Sequence, residues 1–192
     1  MLIITAGFAG AAVIRHLPST LGAVVCFHHD EGVDEAEFSQ LPIQTKTILL
    51  STKDNERPNS KKRGRQTLEH SLESLAPELA MQMKGAKKIG LVAGLGGILG
   101  TTTASFVSRL ASELKIPLVA SVSLPFAFEG AARIKAAEAV AARIEKQAVA
   151  SQIVKLEDRV RESGEDVDMD EFFVAVGQAH AAFLSSQSAS VS

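Results

Sequence analysis

Short apolar runs alternate along the chain with longer segments in which apolar residues recur every three or four positions. The short runs predict strands buried on both faces, and the longer segments predict amphipathic helices. The predicted strands are LIITA, AVVCF, KTILL, IGLVA, IPLVASVS and QIVKL, and the predicted helices span 10–17, 66–83, 102–114, 131–146 and 169–184. This alternation predicts an α/β fold, a single three-layer Rossmann-like domain with a mostly parallel six-stranded sheet.

Size and charge set the limits of this fold. A chain of 192 residues with 46% hydrophobic content can bury one sizeable core, which we assign to residues 1–184. The last eight residues, SSQSASVS, are too polar to pack and are expected to form a disordered tail. A formal charge of -2 gives no global reason to bind nucleic acid, so no nucleic-acid partner is expected.

The compartment is predicted from what the sequence contains. The single cysteine, Cys26, lies in an apolar run, so burial is expected and an intramolecular disulfide is excluded. We identified no basic leader and no apolar run of about 18 residues, so neither a signal peptide nor a transmembrane segment is expected. A cytoplasmic location is therefore predicted.

Two glycine-containing turns carry the candidate chemistry. The first is GFAG, from Gly7 to Gly10, and the second is GLGGILG, from Gly94 to Gly100, before three threonines expected to cap the next helix. Glycines after a strand bring backbone N–H groups close to an anion, and a helix N-terminus favours negative charge. The second turn misses the dinucleotide spacing and lacks the lysine of a P-loop. Glycines that serve only a tight turn remain an open alternative.

Two longer motifs resemble those of the FtsZ and tubulin family. AGLGGILGTTTA is similar to the family's Ala-Gly-Met-Gly-Gly-Gly-Thr-Gly-Thr-Gly-Ala-Ala, and LPFAFEGAAR to its Lys-Pro-Phe-x-Phe-Glu-Gly-x-x-Arg. The resemblance extends over about residues 2–184 and implies the nucleotide-binding domain of that family. The residues it implies at a nucleotide site, which we take as candidates, are Gly7, Gly10, Asp30, Gly94, Gly96, Gly97, Gly100, Thr101, Pro125, Glu129 and Arg133.

Departures from the family pattern bear on what this site can do. Ile98, Leu99 and Thr102 stand where the family has Gly, Thr and Gly. The family reads guanine with an Asp or Asn one turn after a stacking Phe. If Phe172 is that aromatic, the position falls on Val176, and if Phe173, on Gly177, with Gln178 the nearest polar candidate. The family's water-activating acids follow this helix, and we expect the chain to end before them.

We therefore expect a noncatalytic or weakly GTP-binding domain that acts through protein contacts, capping or regulating filaments of a full-length FtsZ-type protein. GTP or GDP are the expected ligands, with Mg²⁺ only if a triphosphate binds, and no catalytic residue is assigned. Two alternatives stay open. One is a GTPase completed by a partner subunit, and the other a nucleotide-free scaffold in membrane remodelling or secretion that uses the basic stretch 53–66. A metal site at His28, His29 and Asp30 is disfavoured because adjacent strand residues point to opposite faces.

Overall fold

A sheet of parallel strands with helices on both faces forms the centre of the molecule. The computed structural model describes residues 1–29, 43–50, 60–163 and 168–188. The strands are β1 (Leu2–Ala6), β2 (Val24–His29), β3 (Thr45–Leu50), β4 (Ile89–Gly94), β5 (Leu118–Leu124) and β6 (Ala150–Lys155). The α-helices of the described residues are α1 (Gly7–Ile14), α2 (Ser60–Lys84), α3 (Ile98–Glu113), α4 (Ala131–Gln147), α5 (Leu156–Ser163) and α6 (Met169–Ser188).

The strand order is β3-β2-β1-β4-β5-β6, and each neighbouring pair is parallel. The order reverses between β1 and β4, where Leu2 pairs with Ile89 and Ala6 with Ala93. Ligands of open α/β sheets bind at such a reversal, outside the carboxyl ends of the strands. The predicted α/β class and six-stranded sheet are confirmed, and the topology places the candidate site beyond β1 and β4.

Alternate residues of the central strands enter two different cores. Leu2, Ile4 and Ala6 face the larger core, which contains the buried faces of α2, α3 and α4. Ile3 faces the smaller core, which contains residues of α1 and α6. Cys26 is buried in the smaller core, as its apolar run predicts. Because both faces are covered at the centre of the sheet, β1, β4 and β5 are buried along almost their whole length, whereas Lys46 of β3 and Lys155 of β6 at the sheet edges are exposed.

The helix after the second glycine turn begins earlier than predicted. It starts at Ile98 with Gly97 as its N-cap, and no side chain caps it. The prediction that the threonines at 101–103 cap this helix is therefore wrong, since they lie inside it. Thr101 has a different role, because its Oγ1 accepts a hydrogen bond of 2.8 Å from the backbone N–H of Gly96.

Four other boundaries differ from the prediction. Helix α1 spans 7–14 instead of 10–17, and α2 begins at Ser60 and contains Pro77. Helix α5, at Leu156–Ser163, is not among the predicted helices. Helix α6 continues to Ser188, so the predicted polar tail is wrong for residues 185–188. The ammonium of Lys88 donates a 2.7 Å hydrogen bond to the carbonyl of Gln187, which holds this last turn on the domain.

Candidate functional site

A cavity of about 340 Å³ lies at the carboxyl ends of β1, β4 and β5. Both predicted glycine turns contribute to it, together with the turn that follows β5 and one face of α6. Its lining residues are Gly7, Gly94, Leu95, Gly97, Ile98, Leu99, Gly100, Ser123, Leu124, Pro125, Phe126, Glu129, Arg133, Leu156, Phe173 and Val176. The sequence motifs and the topological reversal therefore lead to the same place.

The second glycine turn is shaped by contacts that a side chain would not permit. A Cβ atom added to Gly100 would lie 2.0 Å from the carbonyl oxygen of Gly94, so α3 begins directly against the end of β4. Gly96 has a φ of +99°, a left-handed backbone conformation that glycine tolerates best. These two glycines have structural reasons to be present, and together they hold the start of α3 at the cavity.

The start of α3 brings the positive end of a helix dipole to the cavity. The first N–H groups of an α-helix have no intrahelical acceptor, and its N-terminus carries a partial positive charge. The first turn of α3 contains no acidic residue that would neutralise this charge. Gly7 approaches the same place, since a Cβ added to it would lie 3.8 Å from the backbone of Gly100. This part of the cavity, Gly7 together with Gly94 to Gly100, is called the glycine end below.

Arg133 and Glu129 form an ion pair beside the glycine end. Arg133 Nη2 lies 3.0 Å from Glu129 Oε2, and Glu129 Oε1 accepts a 2.9 Å hydrogen bond from the backbone N–H of Phe126. The arginine side chain packs along the glycine turn, because a Cβ added to Gly96 would lie 3.1 Å from Arg133 Nε. The guanidinium therefore places charged N–H donors against the glycine turn, while the Glu129 carboxylate balances its charge.

Another part of the cavity lining is apolar. Phe126, Leu156, Phe173 and Val176 line the cavity and belong to one hydrophobic cluster, and these four residues are called the apolar end below. Phe173, one of the two aromatics considered from the sequence, lines the cavity, and Val176 lines it one turn further along α6. Phe172 is buried behind them and contacts Phe126 with ring centroids 5.8 Å apart. Gly177 packs against Ala12 of α1 and against His16, which follows that helix, and Gln178 is exposed and outside the cavity lining.

Ile98 and Leu99, the two bulky residues of the second glycine turn, pack at least partly into the larger core. Leu99 is 2% exposed and belongs to the larger core, and Ile98 packs against that core. Both also line the cavity. Their side chains therefore add apolar surface to the glycine end, while the backbone of the turn still leads directly into α3.

A buried histidine joins α6 to β5 next to the cavity. His180 of α6 lies between two serines of β5, with Nδ1 2.7 Å from Ser121 Oγ and Nε2 3.0 Å from Ser123 Oγ. Burial, with a smaller contribution from the charge of Arg159, lowers the pKa of His180 to about 4. The imidazole is therefore neutral near pH 7 and ties α6 to the strand that ends at the cavity.

The structure brings most of the predicted site residues together. Gly7, Gly94, Gly97, Gly100, Pro125, Glu129 and Arg133 line the cavity, and Gly96 adjoins Pro125. Gly10, Thr101 and Gln178 do not line it. Gly10 packs α1 against Thr5, and Thr101 faces a separate groove between α2, α3 and α4. Asp30 lies outside the described residues.

Leu156 and Ser123 line the cavity but were not identified from the sequence. The only signal for Ser123 is the Ser-x-Ser spacing in an otherwise apolar strand. In the part of the chain that the structure describes, no three His, Cys, Asp or Glu residues are grouped to hold a metal ion. No described helix is long and apolar enough to cross a membrane.

Comparison with known proteins identifies relatives of this chain. Residues 32–155 match the model of the Tubulin/FtsZ family, GTPase domain. The chain is 43% identical over 61 residues to the cell division protein FtsZ of Haemophilus influenzae, covering 32% of this chain and 14% of that protein. It is 38% identical over 94 residues to FtsZ of Neisseria meningitidis serogroup A, covering 48% of this chain and 24% of that protein.

Solved structures show the same fold. An empty FtsZ dimer from M. jannaschii matches 97% of this chain with a TM-score of 0.66 and 20% identity. A GTPγS-bound protofilament of CetZ2 from Haloferax volcanii matches 99% of it with a TM-score of 0.65 and 24% identity. The chain spans 53% and 59% of the lengths of these two structures, so about half of each has no counterpart here.

Proposed function

Because the chain belongs to the Tubulin/FtsZ family, we propose that it is a noncatalytic, weakly nucleotide-binding domain that acts by contacting an FtsZ-type protein. The contact uses the face that surrounds the cavity. By this contact the domain caps or regulates filaments of its partner. The observation that carries the proposal is an exposed aromatic side chain, Phe128, beside a cavity that retains the glycine end.

Phosphate binding is supported by the glycine end. The family binds GTP or GDP with Mg²⁺, and the residues here fit the phosphates, since Gly100 leaves no room for a side chain and the start of α3 carries no acid. Backbone N–H groups of the turn and the Arg133 guanidinium would hold the phosphate oxygens. Mg²⁺ would enter only with a triphosphate, which supplies the oxygen ligands that this cation prefers.

The absence of hydrolysis by the domain alone is supported by the carboxylates of the cavity. Among the described lining residues, only Glu129 carries one. Both of its oxygens are engaged, one by the Phe126 N–H and one by Arg133. These two contacts hold the carboxylate against the turn after β5 and against Arg133, so it is not free to turn toward a water molecule as a general base must.

The protein contact is supported by the turn after β5. Phe128 is 83% exposed and stacks on Phe126, with ring centroids 5.1 Å apart and planes 13° from parallel. Phe126 in turn contacts Phe172 and Phe173, so the exposed ring stands on a rigid aromatic base. Buried aromatic anchors dominate binding energy at protein interfaces, and an exposed, preorganised ring is suited to that role.

The test measures filament assembly of an FtsZ-type protein by light scattering and sedimentation in the presence of this domain. We expect substoichiometric domain to lower the polymer mass. Phe128→Ala should weaken the effect at least tenfold in concentration, as expected for loss of an aromatic anchor. No effect of the unmodified domain on assembly would contradict the proposal.

Met81→Ala provides the matched control for that experiment. Met81 is 75% exposed on α2 and does not line the cavity, so its truncation removes a comparable apolar side chain elsewhere. This variant should retain full potency. Equal loss in both variants would mean that general surface hydrophobicity, and not the cavity face, causes the effect.

The retained ion pair supports a second candidate, a GTPase completed by a partner subunit. Arg133 lies against the glycine turn and would face the phosphates, and Glu129 holds it there. This candidate requires phosphate release only from a mixture of the two proteins. Glu129→Ala and Arg133→Ala should each abolish that release, whereas a pure contact function tolerates both.

A further inference from the structure

We propose that the cavity holds a nucleoside triphosphate by its phosphates and by stacking, and does not select the base. This inference rests on the proposed nucleotide binding and specifies its ligand class. The cavity has one end built for anions and another that offers a base only apolar surface. A ligand can therefore be bound through the charge of its phosphates without base-specific hydrogen bonds to these side chains.

The orientation of the ligand follows from charge. Phosphates are drawn to the glycine end, where the start of α3 provides a partial positive charge and Arg133 provides N–H donors. The base must then lie toward the apolar end, which the same cavity reaches. Phe173 presents a ring there, and every base has a π-face that can stack on an aromatic side chain.

The apolar end lacks side chains that could read a guanine edge. Phe126, Leu156, Phe173 and Val176 have no side-chain donors or acceptors. Strong discrimination requires buried polar partners that the wrong ligand would leave unpaired. The apolar end has no polar side chain, so a base other than guanine leaves no polar group unpaired there.

The one hydroxyl near the apolar end is already partly committed. Both ring nitrogens of His180 lie within hydrogen-bond distance of serine hydroxyls, Nδ1 at 2.7 Å from Ser121 Oγ and Nε2 at 3.0 Å from Ser123 Oγ. In either tautomer of the ring, the Ser123 hydroxyl makes one hydrogen bond to His180, as donor or as acceptor. One hydrogen bond of the Ser123 hydroxyl is therefore directed to the protein interior.

The remaining polar groups of the cavity serve the other end. Glu129 and Arg133 pair with each other beside the glycine turn. Gln178, the polar residue next along α6, is exposed and does not line the cavity. Base recognition by the side chains of the apolar end is therefore limited to stacking, which all four bases share.

The direct test is calorimetric titration of GTP, ATP, CTP, UTP and inorganic triphosphate into nucleotide-free protein. We expect the four nucleotides to bind within about tenfold of one another, the scale on which apolar pockets discriminate. Inorganic triphosphate should bind more weakly than all four, because it cannot stack. GTP affinity more than tenfold above that of the other nucleotides would overturn the inference while leaving nucleotide binding intact.

Failure of the proposed function would look different. If neither the nucleotides nor inorganic triphosphate bind at millimolar concentration, the glycine end does not hold phosphate, and both nucleotide binding and this inference are wrong. If inorganic triphosphate binds as tightly as GTP and ATP, phosphate binding stands and the stacking half of the inference is overturned.

A gain of selectivity provides a second test. Val176 is 4% exposed at the apolar end, and Val176→Asp places a carboxylate where it can accept hydrogen bonds from the N1–H and N2–H groups of guanine. Hydrogen bonds to a charged acceptor are worth enough to raise the GTP to ATP affinity ratio about tenfold. An unchanged ratio in a folded variant would contradict the assignment of this end to the base.

Val174→Asp is the matched control, because Val174 lies on the same helix but is 46% exposed and outside the cavity. It should leave the ratio unchanged. Since a carboxylate at Val176 could unfold the domain, circular dichroism of each variant comes first, with Val176→Asn as the uncharged substitute. The titrations of the unmodified protein decide the inference even if neither variant folds.

Discussion

The two ends of the cavity differ in what they are made of. The glycine end is backbone, with N–H groups positioned by the close approach of Gly100 to Gly94. The apolar end is side chain, with Phe173 and Val176 projecting from α6. Every non-proline residue has a backbone N–H, so an anion cradle tolerates many substitutions as long as its course is kept. A base reader depends on one side chain, and a single apolar residue at that position is enough to remove it.

Under the proposed function, this difference accounts for a cavity that binds phosphate and does not select a base. Ile98 and Leu99 make the glycine turn more apolar, but α3 still begins at the cavity. Nothing comparable compensates for an apolar Val176. We therefore expect changes to the backbone of the glycine end to have larger effects on stability and binding than changes of exposed side chains.

The largest effect is expected from Gly100→Ala. The new Cβ would lie 2.0 Å from the Gly94 carbonyl oxygen, so the start of α3 must move away from β4. Overpacking of this kind costs about 3 kcal/mol or more in the free energy of unfolding. Urea denaturation measures this, and triphosphate binding should be lost as well.

Gly85→Ala is the control for the first prediction. Its added Cβ would meet only the Gln82 carbonyl at 3.6 Å, an ordinary contact. Its stability should change by less than about 1 kcal/mol. If the two alanine variants are equally stable, the glycine end is not held by the contact described here.

The second effect concerns the support beneath the apolar end. Since burial lowers the pKa of His180 from its ordinary 6.5 to about 4, the neutral form is favoured in the folded state. The stability from this group is complete above pH 6.5 and is lost as the pH falls toward 4. The loss is roughly 3 kcal/mol between pH 7 and pH 4, beyond what the carboxylates contribute.

Denaturation curves at several pH values measure this loss of stability. Comparing the unmodified protein with a variant that lacks His180 separates the contribution of this histidine from that of the carboxylates. His180→Gln should have a flatter dependence between pH 6.5 and 4 than the unmodified protein. His70→Gln, at an exposed position of α2, should keep the original slope. Identical slopes for the protein and His180→Gln would show that His180 does not carry the effect.

A smaller effect is expected from Arg133→Ala. The guanidinium lies along the glycine turn and is partly exposed, so its loss should weaken triphosphate binding about tenfold with little change in stability. Arg143→Ala, an exposed arginine of the same helix outside the cavity lining, should bind as the unmodified protein does. Calorimetry checks both, and undiminished binding by Arg133→Ala would remove this arginine from the site.

Sequence reasoning was most successful where the signal is local. Strands that are buried on both faces are recognisable in the sequence as apolar runs. The glycine turns after β1 and β4 indicate where the candidate site lies. The early start of α3 was missed because Ile98 and Leu99 follow glycines that usually end regular structure. The bonds from His180 to Ser121 and Ser123 were missed because they join residues that are 59 and 57 positions apart. Only the fold shows which of Phe172 and Phe173 faces the cavity.

The most direct test of the difference between the two ends is an amide NMR titration of labelled protein with inorganic triphosphate and then with GTP. Inorganic triphosphate should shift the amides of Gly97 and Gly100 saturably, while Phe173 and Val176 stay in place. GTP and ATP should shift both groups alike. Unchanged glycine amides with every ligand, or shifts at Val176 with GTP but not ATP, would contradict the account of a retained phosphate cradle without base selection.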